Sequence, residues 1–167
     1  MTAVCPTDVV EAPAEVVWGL LTNPAGWGAF FDVRLERVDP PGPARVGQRV
    51  FAESGPRLLR LKLRFEFTDI DAERHRLGLD VRLPFGVTVR EDLTVTPLSD
   101  RRCRVSYGCD FGFAPGWRGW MGRRLLGRET QTGPVDSLDR LKAAAERAAD
   151  GSEAGAVVLA RPQRMSE

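Results

Sequence analysis

The chain has 167 residues, 43% hydrophobic and 28% charged, which suits one soluble domain with a single substantial core. It carries 24 basic and 23 acidic side chains, a formal charge of +1, so no strong overall field favours nucleic acid or an anionic membrane. No stretch reaches the roughly 18 apolar residues of a membrane span and no basic-then-apolar leader opens the chain, which points to the cytosol and against stable membrane insertion.

Val4 to Glu11 reads as a short first strand. Pro13 stands where a helix can begin, and Val16, Val17, Leu20 and Leu21 recur at helical spacing until Asn23-Pro24 stops it. A second short helix or turn follows over 25–31, with aromatic bulk from Trp27, Phe30 and Phe31. From Asp32 the period drops to two: Val33 and Leu35 alternate with Arg34 and Glu36 as far as the Pro40-Pro41-Gly42-Pro43 loop. Val46 to Glu53 is the next strand, closed by Ser54-Gly55-Pro56. Leu59, Leu61, Leu63, Phe65 and Phe67 then alternate with charged and polar residues in a long half-buried strand. Leu77 to Leu83, Val87 to Val95, and a last strand with Val105, Tyr107, Cys109, Phe111 and Phe113 on one face complete the series.

After Pro115-Gly116 the helical period returns from Trp117 to about Ala149, with Trp120, Met121, Leu125, Val135, Leu138 and Leu141 marking the apolar side. Gly133-Pro134 predicts a kink or break, because proline removes a backbone donor and disfavours helix at the residue before it. Residues 150–167 turn small and polar and read as a mobile tail on a 1–149 domain. Lysine occurs only at Lys62 and Lys142, an arginine bias of the kind GC-rich bacterial genomes produce.

The three cysteines, Cys5, Cys103 and Cys109, show no metal-ligand spacing. Cys103 and Cys109 share a strand and stand roughly 20 Å apart, against the about 7 Å a bridge allows. His75, the one histidine, falls in a turn between charged neighbours and is expected exposed and inert. Nothing here calls for a metal or another cofactor.

One strand, two short helices, six strands and a long helix is the element order of the SRPBCC superfamily of START and Bet v 1-like domains. The local text is similar too. Ala12-Pro13-Ala14-Glu15-Val16-Val17-Trp18, then Leu21-Thr22-Asn23-Pro24 and Trp27, resembles the family's opening; Phe67-Thr68-Asp69-Ile70-Asp71 resembles a strand end; Leu93-Thr94-Val95-Thr96-Pro97 and Cys103-Arg104-Val105-Ser106-Tyr107 resemble its last hairpin. The resemblance spans about residues 3–149. It departs at Phe30-Phe31, where many members carry another tryptophan, and at Gly133-Pro134 in a helix normally continuous. It implies an α+β helix-grip fold: a curved antiparallel sheet of about seven strands around a long C-terminal helix, enclosing an apolar cavity. Members bind lipids, sterols or polyketides, some act as polyketide cyclases or dehydratases, and others serve as co-chaperones or ribosome factors. The fold thus sets a ligand class and no reaction.

Strand parity selects the polar groups that share the apolar face. Glu91 is in phase with Val87, Val89, Leu93 and Val95, and a carboxyl there is desolvated, which raises its pKa and suits a general acid or base. The alternative is a pairing arginine, or a bulge that turns it outward. Tyr107 can hold a substrate carbonyl or enolate, or simply be core with its hydroxyl at the cavity edge. Cys109 reads as a small buried hydrophobe on the lining rather than a nucleophile. The remaining expected lining is Phe65, Phe67, Leu79, Val81, Val89 and Phe111 from the sheet and Met121 and Leu125 from the inward stripe of the helix; the resemblance places Trp27, Phe30, Phe31, Trp117 and Trp120 near the mouth. Arg124 and Arg128, one helical turn apart, can take a ligand oxyanion or belong to a solvated face. The leading expectation is a cyclase or dehydratase-like enzyme acting on a hydrophobic intermediate, with Glu91 and Tyr107 as its catalytic pair. A carrier of an apolar small molecule without turnover is the second, and a protein-interaction module the third. Oligomeric state stays open, a homodimer being one option.

Overall fold

The computed structural model describes residues 2–55, 60–126 and 129–159. Among these residues eight strands form one antiparallel sheet: β1 (Thr2–Val4), β2 (Thr7–Val10), β3 (Arg34–Asp39), β4 (Arg49–Ser54), β5 (Leu61–Asp71), β6 (Arg76–Leu83), β7 (Val87–Ser99) and β8 (Arg102–Phe113). They run in the order β1-β8-β7-β6-β5-β4-β3, with β2 also on β8. The single first strand expected over Val4–Glu11 is two, because Pro6 has no N–H to give the ladder; its carbonyl instead accepts from the Tyr107 N–H at 2.9 Å. Pro56 and Leu59, assigned to a turn and a strand start, lie outside the described residues.

Alternation decides which face is buried. On β5, Leu63, Phe65 and Phe67 are inward, and on β7 every second residue from Val87 to Val95 is buried. Register shifts at Leu35/Arg37, Phe67/Asp69 and Pro97/Ser99 each insert a residue and bend the sheet. Gly78 sits opposite one of these bulges, where a Cβ would come within 2.9 Å of the Thr68 hydroxyl.

Three helices fill the concave side and one flank. Helix α1 (Ala14–Leu21) buries Ala14, Val17 and Leu21. A short 3-10 turn, Pro24–Ala29, carries Trp27, whose Nε1 donates to the Leu21 carbonyl at 3.0 Å. Helix α2 (Gly116–Leu126) follows β8, and α3 (Glu129–Leu159) crosses the sheet. Leu138, Leu141 and Ala145 form the buried stripe of α3, and the Lys142 ammonium donates to Asp8 on β2 at 2.9 Å.

Two expectations about this last region are corrected. Helix α3 runs through Gly133-Pro134 without interruption, because Pro134 lies early in the helix, forfeits one backbone bond, and has its ring buried. It also continues past Ala149 to Leu159, despite Gly151 and Gly155. Residues 160–167 of the expected tail lie outside the described residues. His75 is also not exposed. Its backbone turns left-handed (φ 47°), and its ring sits 5.3 Å from that of Trp18, with Nε2 3.1 Å from the Glu15 carboxylate.

Candidate active site in an apolar chamber

Between the concave face of the sheet and α3 lies an apolar chamber of about 180 Å³. Leu63 and Phe65 from β5, Val81 and Leu83 from β6, Val89 from β7 and Phe111 from β8 make its wall. Pro134, Ser137 and Arg140 of α3 roof it, and Phe31 and Val33 close one side.

Three polar side chains reach this surface from the sheet: Ser54 at the end of β4, on the side shared with the vestibule, and Glu91 and Tyr107 from β7 and β8. Strand β7 keeps strict alternation through Glu91, so the carboxyl takes an inward position meant for an apolar residue and is only 7% exposed. In the ladder Glu91 stands opposite Cys109 on β8, and Tyr107 opposite Leu93. Glu91 and Tyr107 are therefore diagonal neighbours on adjacent strands, within side-chain reach. Oε2 of Glu91 is buried without a hydrogen-bond partner, and among the described residues no cation pairs with it. Strand β7 has no register shift at Glu91, and among the described residues no arginine lies against it.

Burial pushes the Glu91 carboxyl up to about 7, and the Tyr107 hydroxyl, by hydrogen bonding to the charged form, partly opposes this. The Tyr107 phenol is driven well above its ordinary range, first by burial and then by the adjacent Glu91 charge, so it stays a donor. Burial likewise raises the Cys109 thiol, which excludes a resting thiolate there. The pair thus consists of one group that exchanges a proton near neutrality and one that holds its proton throughout.

The chamber opens into a vestibule of about 360 Å³, and the two share Phe31, Asp32, Val33, Ser54 and Arg140. The vestibule is polar, with Arg34, Glu53 and Arg60 on its wall. Arg140 Nη1 and Asp32 Oδ1 meet at 3.2 Å across the junction, tying α3 to the segment after the 3-10 turn. Neither residue was singled out from sequence: an arginine and an aspartate 108 positions apart carry no local signal, and each alone resembles a solvated surface charge.

The other expected lining residues divide into two groups. Trp27, Phe67, Leu79 and Cys109 are buried but do not line the chamber; Trp27 packs edge-on against Phe31 and Phe65 at 5.2 and 5.5 Å. Their parity is right, but Phe31 and Phe65 stand between Trp27 and the hollow. Trp120, Met121 and Arg124 are not at the chamber. Trp120 is 63% exposed, Met121 half-buried, and Arg124 reaches over the Trp120 ring at 5.9 Å. Val135 is exposed as well. The side chain of Leu125, and Arg128 altogether, lie outside the described residues. Helix α2 packs through Gly119 and Gly122, which leaves Trp117 and Trp120 outward.

A family model described as polyketide cyclase / dehydrase and lipid transport matches residues 1–146. No curated protein matches the chain in sequence. Among solved structures, the ZhuI aromatase/cyclase of Streptomyces sp. R1128 is similar at TM-score 0.72 and 21% identity, over 87% of this chain and 94% of that one. Norcoclaurine synthase from Thalictrum flavum, in complex with dopamine and hydroxybenzaldehyde, is similar at TM-score 0.63 and 15% identity, over 97% and 89%. A Chromobacterium violaceum protein is similar at TM-score 0.66 and 18% identity, over 87% and 99%. At such identities the likeness is one of fold.

Proposed function

The chain belongs to the polyketide cyclase/dehydrase and lipid transport family, and from that premise we propose that it is a cyclase or dehydratase-like enzyme for a hydrophobic carbonyl intermediate. The substrate class is a polyketide-like chain or ring whose carbonyl end enters the chamber. The observation that carries this reading is the buried Glu91 carboxyl, with no cation against it among the described residues and its Oε2 without a hydrogen-bond partner, beside the Tyr107 hydroxyl in a mostly apolar wall.

The chemistry follows from that pair. Ionised Glu91 removes a proton from the carbon next to the carbonyl, and the electron pair moves onto the carbonyl oxygen. Tyr107 donates to the developing enolate without giving up its proton. Protonated Glu91 then returns the proton to carbon, or to a departing hydroxyl so that water leaves. Apolar walls keep solvent from competing and make the one available hydrogen bond stronger than it is in water. A chamber of about 180 Å³ holds a single ring, since cavities of about 150 Å³ accept benzene. A longer substrate must extend into the vestibule.

The test uses a single-ring aryl ketone in deuterated water, with exchange at its α-carbon followed by NMR. Wild-type protein is expected to catalyse exchange. Glu91→Gln is expected to slow it by roughly 100- to 10,000-fold, the usual range for positioned proton transfer, while ketone affinity stays within a few-fold. Binding without exchange in the wild type would instead favour a carrier, the second reading, which needs the chamber but no titrating carboxyl.

A further inference from the structure

Helix α2 presents its residues the wrong way round for a surface helix. Among its described side-chain positions, 116–124, the inward ones are Gly119, where any Cβ would strike the Ala114 carbonyl, and Gly122, where one would come within 2.7 Å of a Val87 methyl. Its outward positions hold Trp117 and Trp120, 69% and 63% exposed and one turn apart. Two exposed tryptophans on one helical face call for a partner surface.

The charge around them identifies its sign. From Phe111 to Arg128 the sequence contains no aspartate or glutamate and carries Arg118, Arg123, Arg124 and Arg128, so the rest of the chain is net acidic although the total is +1. Arg124 lies over Trp120, and Arg123 over Phe113 at 5.1 Å, so guanidinium groups flank the aromatic face. Trp on one face with arginine beside it, and no acid, is the composition of a helix lying in the headgroup region of a bilayer. There the indole ring suits the boundary and arginine meets lipid phosphate.

We propose that α2 docks the protein on an anionic lipid surface through Trp117 and Trp120, with Arg118 and Arg124 pairing to headgroup phosphates. The helix rests in the interface and does not cross it; no described helix is long and apolar enough to span a membrane. Helix α2 packs against the Pro84–Gly86 turn, directly after the chamber residue Leu83, so docking sets the chamber beside the lipid. Only this last consequence rests on the proposed function; the docking does not.

The experiment is co-sedimentation of the full chain with vesicles of phosphatidylcholine alone or mixed with phosphatidylglycerol, read together with tryptophan emission. Wild type is expected to bind the mixed vesicles with a blue shift and to be released by salt. Trp117→Ser/Trp120→Ser should lose at least tenfold in affinity, and Arg118→Gln and Arg124→Gln roughly fivefold each. All four sites are exposed, so melting temperatures should hold. Glu91→Gln should bind vesicles like wild type, which separates this inference from the catalytic one. No binding of wild type to anionic vesicles, or unchanged binding by the double tryptophan variant, would overturn it. So would sedimentation velocity showing a dimer that the same variant abolishes, which would assign the face to a second copy.

Discussion

A carboxyl that is neutral in the fold and ionised in the unfolded chain couples stability to pH. For Glu91 the ordinary value is 4.5 and the folded one about 7. Below the first, both states hold the proton and its contribution is whole. Between the two the unfolded chain binds fewer protons than the native one, so stability falls as pH rises, and above the second the loss is complete. The total is about 3 kcal/mol. Urea midpoints measured from pH 4 to 8 should therefore show wild type losing stability relative to Glu91→Gln, with the difference flat beyond neutrality; a constant difference would mean an unperturbed carboxyl. Thiol reactivity tests the same environment. Cys5 is exposed while Cys103 and Cys109 are buried, with burial holding Cys103 up at about 11. Iodoacetamide should label Cys5 alone in the native protein and all three cysteines in urea, counted by mass. The inward place of Glu91 was legible in the sequence because parity on a strand is strict: nothing between Val87 and Val95 breaks the alternation. The absence of a cation against it among the described residues was not, since an arginine from any neighbouring strand could have reached it.

Helix α3 joins the grip through two kinds of contact of different worth. Leu141 is 2% exposed in the main core, whereas the Lys142–Asp8 pair is about one-third exposed on each side. Leu141→Ala should cost about 2–5 kcal/mol, and Asp8→Asn less than about 1 kcal/mol, because water screens the pair and the long lysine loses rotamer freedom in making it. Denaturant titration of both variants checks this, and equal losses would mean that the helix is held by charge. The periodicities that defined the strands and the Leu138–Leu141 stripe were read correctly because large apolar residues mark the buried side there. Helix α2 defeats that rule. Its inward positions over 116–124 are glycines, which leave no hydrophobic signature, so helical periodicity pointed Trp120 and Met121 toward a cavity they do not reach. The uninterrupted run through Pro134 escaped for a related reason: local propensity weighs the lost hydrogen bond but not the burial of the ring.

At the scale of the molecule the hollow is what the sheet and α3 produce when their curvature exceeds what side chains fill. Five aromatic rings (Trp27, Phe30, Phe31, Phe65 and Phe67) consume much of that space, which is why the chamber is about 180 Å³ rather than several hundred. Sequence gave the existence of such a space through family resemblance but not its size, because volume depends on how rings from distant segments interleave. The size makes a sharp prediction. Val89 is 5% exposed and lines the chamber wall. Val89→Trp should place an indole in the void, costing at most the about 1–3 kcal/mol of overpacking and less where the ring enters empty space. A single-ring probe such as toluene, followed by ligand-observed NMR, should bind wild type and lose at least tenfold in the variant. Vesicle binding through α2 should stay as it was. If toluene binds both proteins alike, its site is outside this chamber, and the pairing of Glu91 with Tyr107 has no guest to act on.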